Sequence, residues 1–442
     1  SEKGVNDILP RLDSFTEVNP FFYTVKQNGE LFPNGSLNDA EWKNLKTQAK
    51  QKGVHFIPTV MWANADAMDE VFRDESKRQA HIRSLAKEVY AHGLDGIDID
   101  YEAKYARTRE YFSLFLRDLE EAIGYDKLIM CTIEARTPLD SRYLDPADIP
   151  KDIEYANDFK EINKYCDRVR IMAYDQGRFD KKLNEEKKHP YIPVADVDWV
   201  RKVVELTAVD IDKEKIVIGV PTYGYEYDMF IDGDGDTVYS RLWSFNPNYV
   251  EQDVKPNVTG EGPTRNSAGE LFFTYPARQS PDGVVPLPNA TRVMSWSDAE
   301  AIRDKAELAE ELGVRGIAVF KIDGGQDQNL WSVLSEYKDK QVAIGVQTNP
   351  STIGVVIEDV QMLVPEIDLE YGDRREEVRL LQQFLNDEDF TVAQSGGGSL
   401  GNETTFFGPA TQNALIRFQK HHGITPAVGY FGPLTRATMQ SL

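Results

Sequence analysis

Between residues 4 and 340, short apolar runs alternate with amphipathic stretches of helical period, the pattern of βα units feeding a parallel sheet. Seven runs read as strands: Pro20–Val25, His55–Met61, Gly93–Tyr101, Leu128–Glu134, Val169–Asp175, Ile216–Tyr223 and Gly316–Ile322, each rich in β-branched or aromatic residues. Asp39–Gln51, Asp74–His92, Arg107–Ile123, Val197–Leu206 and Asp298–Leu312 read as the helices between them, and Asn6–Phe15 as one more ahead of the first strand. Ser297 with Glu300 three residues on gives the last helix a capping-box signature. The order predicts an α/β chain, a (β/α)8 TIM barrel with one strand unaccounted for. That strand is expected ahead of residue 1, with an open barrel as the alternative.

One connection is too long to be an ordinary loop. Residues 225–292 hold strand-like pieces, Thr237–Ser240 and Leu271–Tyr275, among many Gly, Asn and Pro, and are expected to form a small inserted α+β subdomain walling one side of the barrel mouth. Asp232-Gly-Asp234-Gly-Asp236 within it lacks the downstream Glu of a calcium loop and reads as a Gly-Asp turn; no metal site is expected. Residues 341–368, with Gln347-Thr-Asn-Pro-Ser-Thr352, read as a connector, and 369–442 as a small helical domain interrupted by the Gly/Ser-rich Ser395–Ser399. Its first helix carries Val378, Leu381, Phe384 and Leu385 on one face, and its second buries Ala414, Leu415 and Phe418. Phe407-Gly-Pro-Ala-Thr411 recurs as Phe431-Gly-Pro-Leu-Thr435, with Pro where a first helical turn tolerates it.

Composition narrows the partners. A formal net charge of −23 repels phosphate backbones and anionic membrane surfaces, so nucleic acid is not expected. No run of 18 apolar residues is present, so no membrane span is predicted. No charged-then-apolar leader opens the chain, and Ser1 reads as the start of a processed or trimmed chain. The two cysteines, Cys131 and Cys166, are read as buried free thiols; a disulfide requires their strands to be neighbours.

The chemistry lies in Leu94-Asp-Gly-Ile-Asp-Ile-Asp-Tyr-Glu102. Strand alternation sets Asp98, Asp100 and Glu102 on one face, stepped by roughly 6.6 Å, and Ile97, Ile99 and Tyr101 on the other. With helices on both sides of this strand in sequence, the Ile face meets the helices and the acids point into the barrel. Crowded buried carboxyls cannot all ionise, so a proton is held among them. Glu102, at the C-terminal strand end where barrel active sites lie, is the candidate general acid.

Asp95-Gly-Ile-Asp98-Ile-Asp100-Tyr-Glu102 resembles the DGxDxDxE signature of glycoside hydrolase family 18. Met172-Ala-Tyr174-Asp175, Gly219-Val-Pro-Thr-Tyr223-Gly224, and Trp296-Ser-Asp298 with Arg315-Gly-Ile-Ala-Val-Phe320 resemble further family motifs in the same order, over about residues 16–335. The last is similar to the spore-cortex and cell-wall branch. The resemblance implies substrate-assisted retention without a cofactor, in which a sugar's 2-acetamido oxygen attacks its own anomeric carbon. Glu102 then protonates the leaving oxygen and later activates water, Asp100 turns to the acetamido N–H, Asp98 shares the proton, and Tyr174 and Asp175 contact the acetamido group. Many relatives have Trp where this chain has Phe320, a smaller stacking surface. Trp62 and Tyr223, at strand ends, are candidate sugar contacts. Glu134 and Arg136, at the fifth strand's end, are either substrate contacts or a mutual ion pair.

The C-terminal domain resembles the three-helix peptidoglycan-binding module, through Val378-Arg-Leu-Leu-Gln-Gln-Phe-Leu385, Ala414-Leu-Ile-Arg-Phe-Gln419 and the two Phe-Gly-Pro segments. The expected partner is a polysaccharide containing N-acetylglucosamine, and the expected setting is a secreted or wall-associated bacterial protein. Three functions compete: a cell-wall N-acetylglucosaminidase, a chitinase, and a lectin-like barrel without turnover. Retention of Glu102, Asp100 and Tyr174 weighs against the third.

Overall fold

The structure, a computed structural model, describes residues 2–124, 127–188, 190–233, 237–258, 262–280, 290–344, 365, 367–388, 390–393, 397–399 and 403–439. The calcium-like turn at 234–236, most of the connector and part of the Gly/Ser-rich loop lie outside them. The chain divides into two compact units, Ser1–Leu119 with Leu128–Thr348, and Asn349–Leu442 with Glu120–Lys127.

Seven parallel strands organise the first unit: β1 (Phe21–Val25), β2 (Thr59–Trp62), β3 (Gly96–Tyr101), β4 (Leu128–Glu134), β5 (Arg168–Met172), β6 (Ile216–Pro221) and β7 (Gly316–Phe320). They lie in sequence order from β7 through β6 back to β1, where Leu31–Pro33 adds one antiparallel edge. Each neighbouring pair is parallel. Among the described residues β1 and β7 are not hydrogen-bonded to each other. The predicted run His55–Met61 is split: His55–Phe56 pairs with Glu17–Val18, and β2 begins only after Pro58, which has no N–H to donate.

Local sequence explains the starts of the strands. Asp95 accepts the Phe56 N–H at 2.7 Å, and Asp167 accepts the Ile129 N–H at 2.8 Å, so each carboxylate ties its strand's entry to the neighbouring strand. A Cβ on Gly96 would lie 2.1 Å from the Leu128 carbonyl, so only glycine permits β3 and β4 to meet there.

The predicted helices appear as Ala40–Gln51, Glu75–Ala91, Arg109–Ile123, Val197–Thr207 and Ala299–Leu312. Helices Ala65–Arg73, Phe159–Tyr165 and Leu330–Ile344 were not foreseen; the first two are capped by Asn64 and Asp158, whose side chains accept helical N–H groups. The cap of Ala299–Leu312 is Asp298, which accepts the Ala301 N–H at 3.1 Å, one residue beyond the expected Ser297. Ser297 instead donates to Glu270 at 3.1 Å.

The insertion is a five-stranded antiparallel sheet ordered Thr237–Phe245, Gly224–Ile231, Thr291–Trp296, Leu271–Pro276 and Thr264–Arg265, with short helical turns at Pro247–Val254. Buried Glu270 ties it to the main sheet's loops by accepting the N–H groups of Val194 and Ala195, both at 2.8 Å.

In the second unit, helices Glu376–Asp387, Pro409–His421 and Pro433–Met439 enclose Leu369, Val378, Leu381, Phe384, Leu385, Phe407, Ala414, Leu415, Phe418 and Phe431. The sequence echo acquires a reason. Gln382 donates to Thr411 at 2.8 Å and Gln419 to Thr435 at 3.0 Å, so each Phe-Gly-Pro-x-Thr turn is clasped by a buried Gln of the preceding helix.

The expectation of free thiols is overturned. Cys131 on β4 and Cys166 just before β5 form a disulfide, with Cα atoms 5.9 Å apart, because β4 and β5 are adjacent. A 35-residue separation predicts that the Cys131→Ser/Cys166→Ser pair loses about 4 kcal/mol of unfolding free energy in urea titration. A second expectation concerns His81, whose ring nitrogens meet the Gly29 carbonyl at 2.6 Å and the Tyr101 hydroxyl at 2.7 Å. Burial pushes its pKa down from 6.5 to about 4, opposed by the Gly29 contact. The unfolded chain binds a proton in that window that the folded chain refuses. Stability therefore falls as pH drops from 6.5 toward 4, by about 3 kcal/mol in full. His81→Gln should cost less stability at the acid end of this range than at neutral pH.

Candidate active site

Alternate residues of β2 to β6, among them Thr59, Met61, Asp100, Met130, Thr132, Arg170, Met172 and Val217, line one cavity of about 1000 Å³ together with the whole of β7 from Gly316 to Phe320, and Glu102, Tyr174 and Asp175 reach it from the strands' C-terminal ends. The acid row therefore faces inward. Ile97, Ile99 and Tyr101 are almost wholly buried on the other face.

Asp98 is fully buried at the base of the row. Thr59 donates to it at 2.6 Å from β2, Thr132 at 2.9 Å from β4, and the Arg170 guanidinium forms an ion pair with it from β5. Arg170 also donates to Thr132 at 3.1 Å. A buried carboxylate costs several kcal/mol unless its charge and lone pairs are satisfied, and these three partners satisfy it.

Asp100 stands one step higher, and its Oδ1 is buried without a hydrogen-bond partner. Burial and the adjacent Asp98 charge push its pKa up to about 7, against the pull of Arg170. Glu102 is also raised, first by burial and then by the Glu134 charge, with Lys104 opposing. The row thus holds a proton near neutrality, as a general acid requires.

Across the cavity Tyr174 stacks on Phe320 with ring centroids 5.4 Å apart and planes at 14°. A Cβ at Gly219 would come 3.0 Å from the Tyr174 ring and 2.6 Å from the Ile171 carbonyl, so glycine at 219 makes room for this tyrosine. Burial raises the Tyr174 phenol, keeping it a neutral donor. Asp175 accepts the hydroxyls of Tyr223 at 2.7 Å and Tyr225 at 2.8 Å. Ala103 and Asp175 are the two non-glycine residues with positive φ among the described residues, at 56° and 59°. Both flank the cleft, where stored backbone strain is typically found.

One sequence expectation needs correction, and one of two alternatives at another falls away. Trp62 is buried and packs on Phe72, His81 and Tyr101, with centroids 5.4–5.7 Å away. Met61 and Thr59 of the same strand line the cavity, so alternation turns Trp62 to the helical layer and it is core, not a sugar contact. Glu134 and Arg136 do not pair with each other. Glu134 accepts the Ala103 N–H at 2.8 Å and the Asn157 amide at 2.7 Å, while Arg136 donates to the Asn157 carbonyl and lies over the Tyr155 and Phe159 rings. Arg170, Thr59, Thr132, Lys104, Asn157 and Tyr225 went unforeseen. Arg170 was legible, since it alternates with Met172 on the inward face of β5.

Comparison with known proteins agrees with this geometry. The glycosyl hydrolases family 18 model matches residues 1–325, and a peptidoglycan binding domain model matches 374–439. The chain belongs to glycosyl hydrolase family 18 and is a glycoside hydrolase. It is 22% identical over 317 residues to the uncharacterized glycosylase YvbX of Bacillus subtilis, covering 71% of this chain and 81% of that one. It is 22% identical to the cortical fragment-lytic enzyme of Bacillus cereus, covering 72% and 69%. The crystal structure of the Bacillus cereus spore cortex-lytic enzyme SleL superposes with a TM-score of 0.57 at 21% identity, covering 76% of this chain and 71% of that one. The fold is thus α/β of the TIM-barrel type.

The raised Asp100 gives a sign-specific prediction. The folded chain holds this proton between the ordinary 3.8 and about 7, so stability is lost as pH rises through that window. Asp100→Asn removes the cost. Relative to wild type it should gain stability with rising pH, by at most about 4 kcal/mol, in urea titrations at pH 4 and pH 8.

Proposed function

We propose that this protein is a secreted N-acetylglucosaminidase of the bacterial cell wall, cutting β-1,4 bonds after N-acetylglucosamine by substrate-assisted retention. In this reading residues 1–340 form the catalytic (β/α)8 barrel, 341–368 the connector and 369–442 the wall-binding module. The observation that carries the mechanism is how the carboxylates around the cleft are engaged. Asp98 is paired with Arg170, Asp175 accepts two tyrosine hydroxyls, and both Glu134 oxygens have protein donors. With these three acids held by protein partners, family membership supports the substrate's own acetamido oxygen as the nucleophile in place of a second enzyme carboxylate.

Glu102 donates its proton to the departing glycosidic oxygen. Asp100 turns to the acetamido N–H and stabilises the oxazolinium charge while Asp98 shares its proton. Tyr174 and Asp175 fix the acetamido group, and Tyr223 acts by orienting Asp175. Phe320 presents the ring on which the reacting sugar lies. A peptidoglycan-type module and relatives named for cortex lysis support the wall as substrate. The Cys131–Cys166 disulfide supports an oxidising, extracytoplasmic setting.

Chitin is the competing substrate, since the same chemistry acts on a homopolymer of N-acetylglucosamine. Incubation with purified sacculi and with chitin oligomers should release reducing N-acetylglucosamine ends from the sacculi. Release from chitin alone would transfer the assignment to chitinase. Glu102→Gln should still sediment with sacculi and lose activity by about 10²- to 10⁴-fold, and full activity in that variant ends the mechanism.

A further inference from the structure

We propose that Glu134 is a positioning residue: by holding the Ala103 N–H it fixes the left-handed turn that aims Glu102 into the cleft. The inference rests on the reading of Glu102 as the acid. Glu102 is the residue just past the end of β3, anchored by its own N–H to the Trp62 carbonyl at 2.8 Å. The chain then turns through Ala103 at φ 56°, a left-handed conformation that strains an alanine and persists only when neighbours over-determine it.

The neighbours are present. One Glu134 oxygen accepts the Ala103 N–H at 2.8 Å. The other accepts the Asn157 amide at 2.7 Å, and Asn157 is buried. Arg136 donates to the Asn157 carbonyl, its guanidinium held over two aromatic rings. On the far side of the turn, buried Lys104 donates to the Tyr101 carbonyl, with its ammonium 4.4 Å from the centre of the Phe112 ring. Charge-assisted bonds to both ends of Ala103's turn make it a fixed bracket rather than a loose loop.

The bracket also carries opposite charges. Asp100 on the same strand, Lys104 past the turn, Glu134 on β4, and Tyr174 and Asp175 beyond β5 surround Glu102, and Arg170 lies below with Asp98. After burial itself, the Glu134 charge raises Glu102's proton affinity and Lys104 lowers it. A general acid works protonated, so Glu102's pKa sets the alkaline limb of the pH–rate profile. Removing each charge should shift that limb in opposite directions.

The test uses the full chain on purified sacculi, with Glu102→Gln as control. Glu134→Ala should lower kcat by about 10- to 100-fold with little change in KM. Glu134→Gln keeps a carbonyl for Ala103, and Asn157, whose Oδ1 has no partner, can flip to receive its amide. It should recover most of kcat while moving the alkaline limb to lower pH. Lys104→Met should move the limb to higher pH. If Glu134→Ala folds poorly, the opposed shifts of the other two variants decide the matter. Wild-type kcat in Glu134→Ala, or shifts of one sign in Glu134→Gln and Lys104→Met, overturns the positioning role while Glu102→Gln stays inactive. Activity in Glu102→Gln overturns the underlying reading instead.

Discussion

Four strands meet on one buried charge. Asp98 from β3 is satisfied only if β2 presents Thr59, β4 presents Thr132 and β5 presents Arg170, all on the same face at the same level. A slip of one residue in any of these strands turns its partner outward and leaves a carboxylate or guanidinium buried alone, at a cost of several kcal/mol. Apolar interiors specify register through volume; here register is specified by charge. The row above inherits its inward direction from this pairing, because Asp100 and Glu102 follow Asp98 at strand period.

The same pairing determines what the upper acids can do. The Arg170 guanidinium is engaged by Asp98, and Asp100 is left with a buried oxygen that no protein donor reaches. Burial and the charge beneath it then favour the protonated form. The fold supplies enough positive charge to bury one acid and too little to ionise the next. Burial at Asp100 thus costs stability above neutral pH and, below it, favours a proton on the row. The two left-handed residues, Ala103 and Asp175, belong to the same economy: each is held by hydrogen bonds from residues distant in sequence, and each bounds the space a sugar would fill.

Much of this was legible before any coordinates. Alternation of period two placed the acids inside, and the seven parallel strands lie close to the runs of β-branched residues. The same parity that turns Asp98 inward turns Trp62 outward. Thr59 is directly opposite Asp98 in the sheet, so Trp62, three residues on, must face away from the cavity with Tyr101. Arg170 was accessible to the same reasoning, as a charged residue alternating with Met172 in an otherwise apolar strand. The disulfide depended on the adjacency of β4 and β5, which the predicted strand order contained. Asn157 and Glu134's attachment to Ala103 belong to a different class. They join loops 31 and 23 residues apart in sequence, and no local period encodes such a meeting.

Phe320 illustrates how a departure from a family pattern is absorbed. A phenyl ring offers less stacking area than an indole, and alone it would give a sugar a narrower floor. In this chain it lies nearly parallel to Tyr174, while Tyr223 meets both rings edge-on at 6.1–6.2 Å. Tyr174 owes its room to Gly219, and Tyr223 is fixed by its bond to Asp175. The three rings thus pack into one cluster whose orientations are set from β6, β7 and the loop after β5. Phe320 is therefore held in place by its neighbours: Asp175 fixes Tyr223 by a hydrogen bond, Gly219 makes room for Tyr174, and both tyrosine rings meet the phenyl ring.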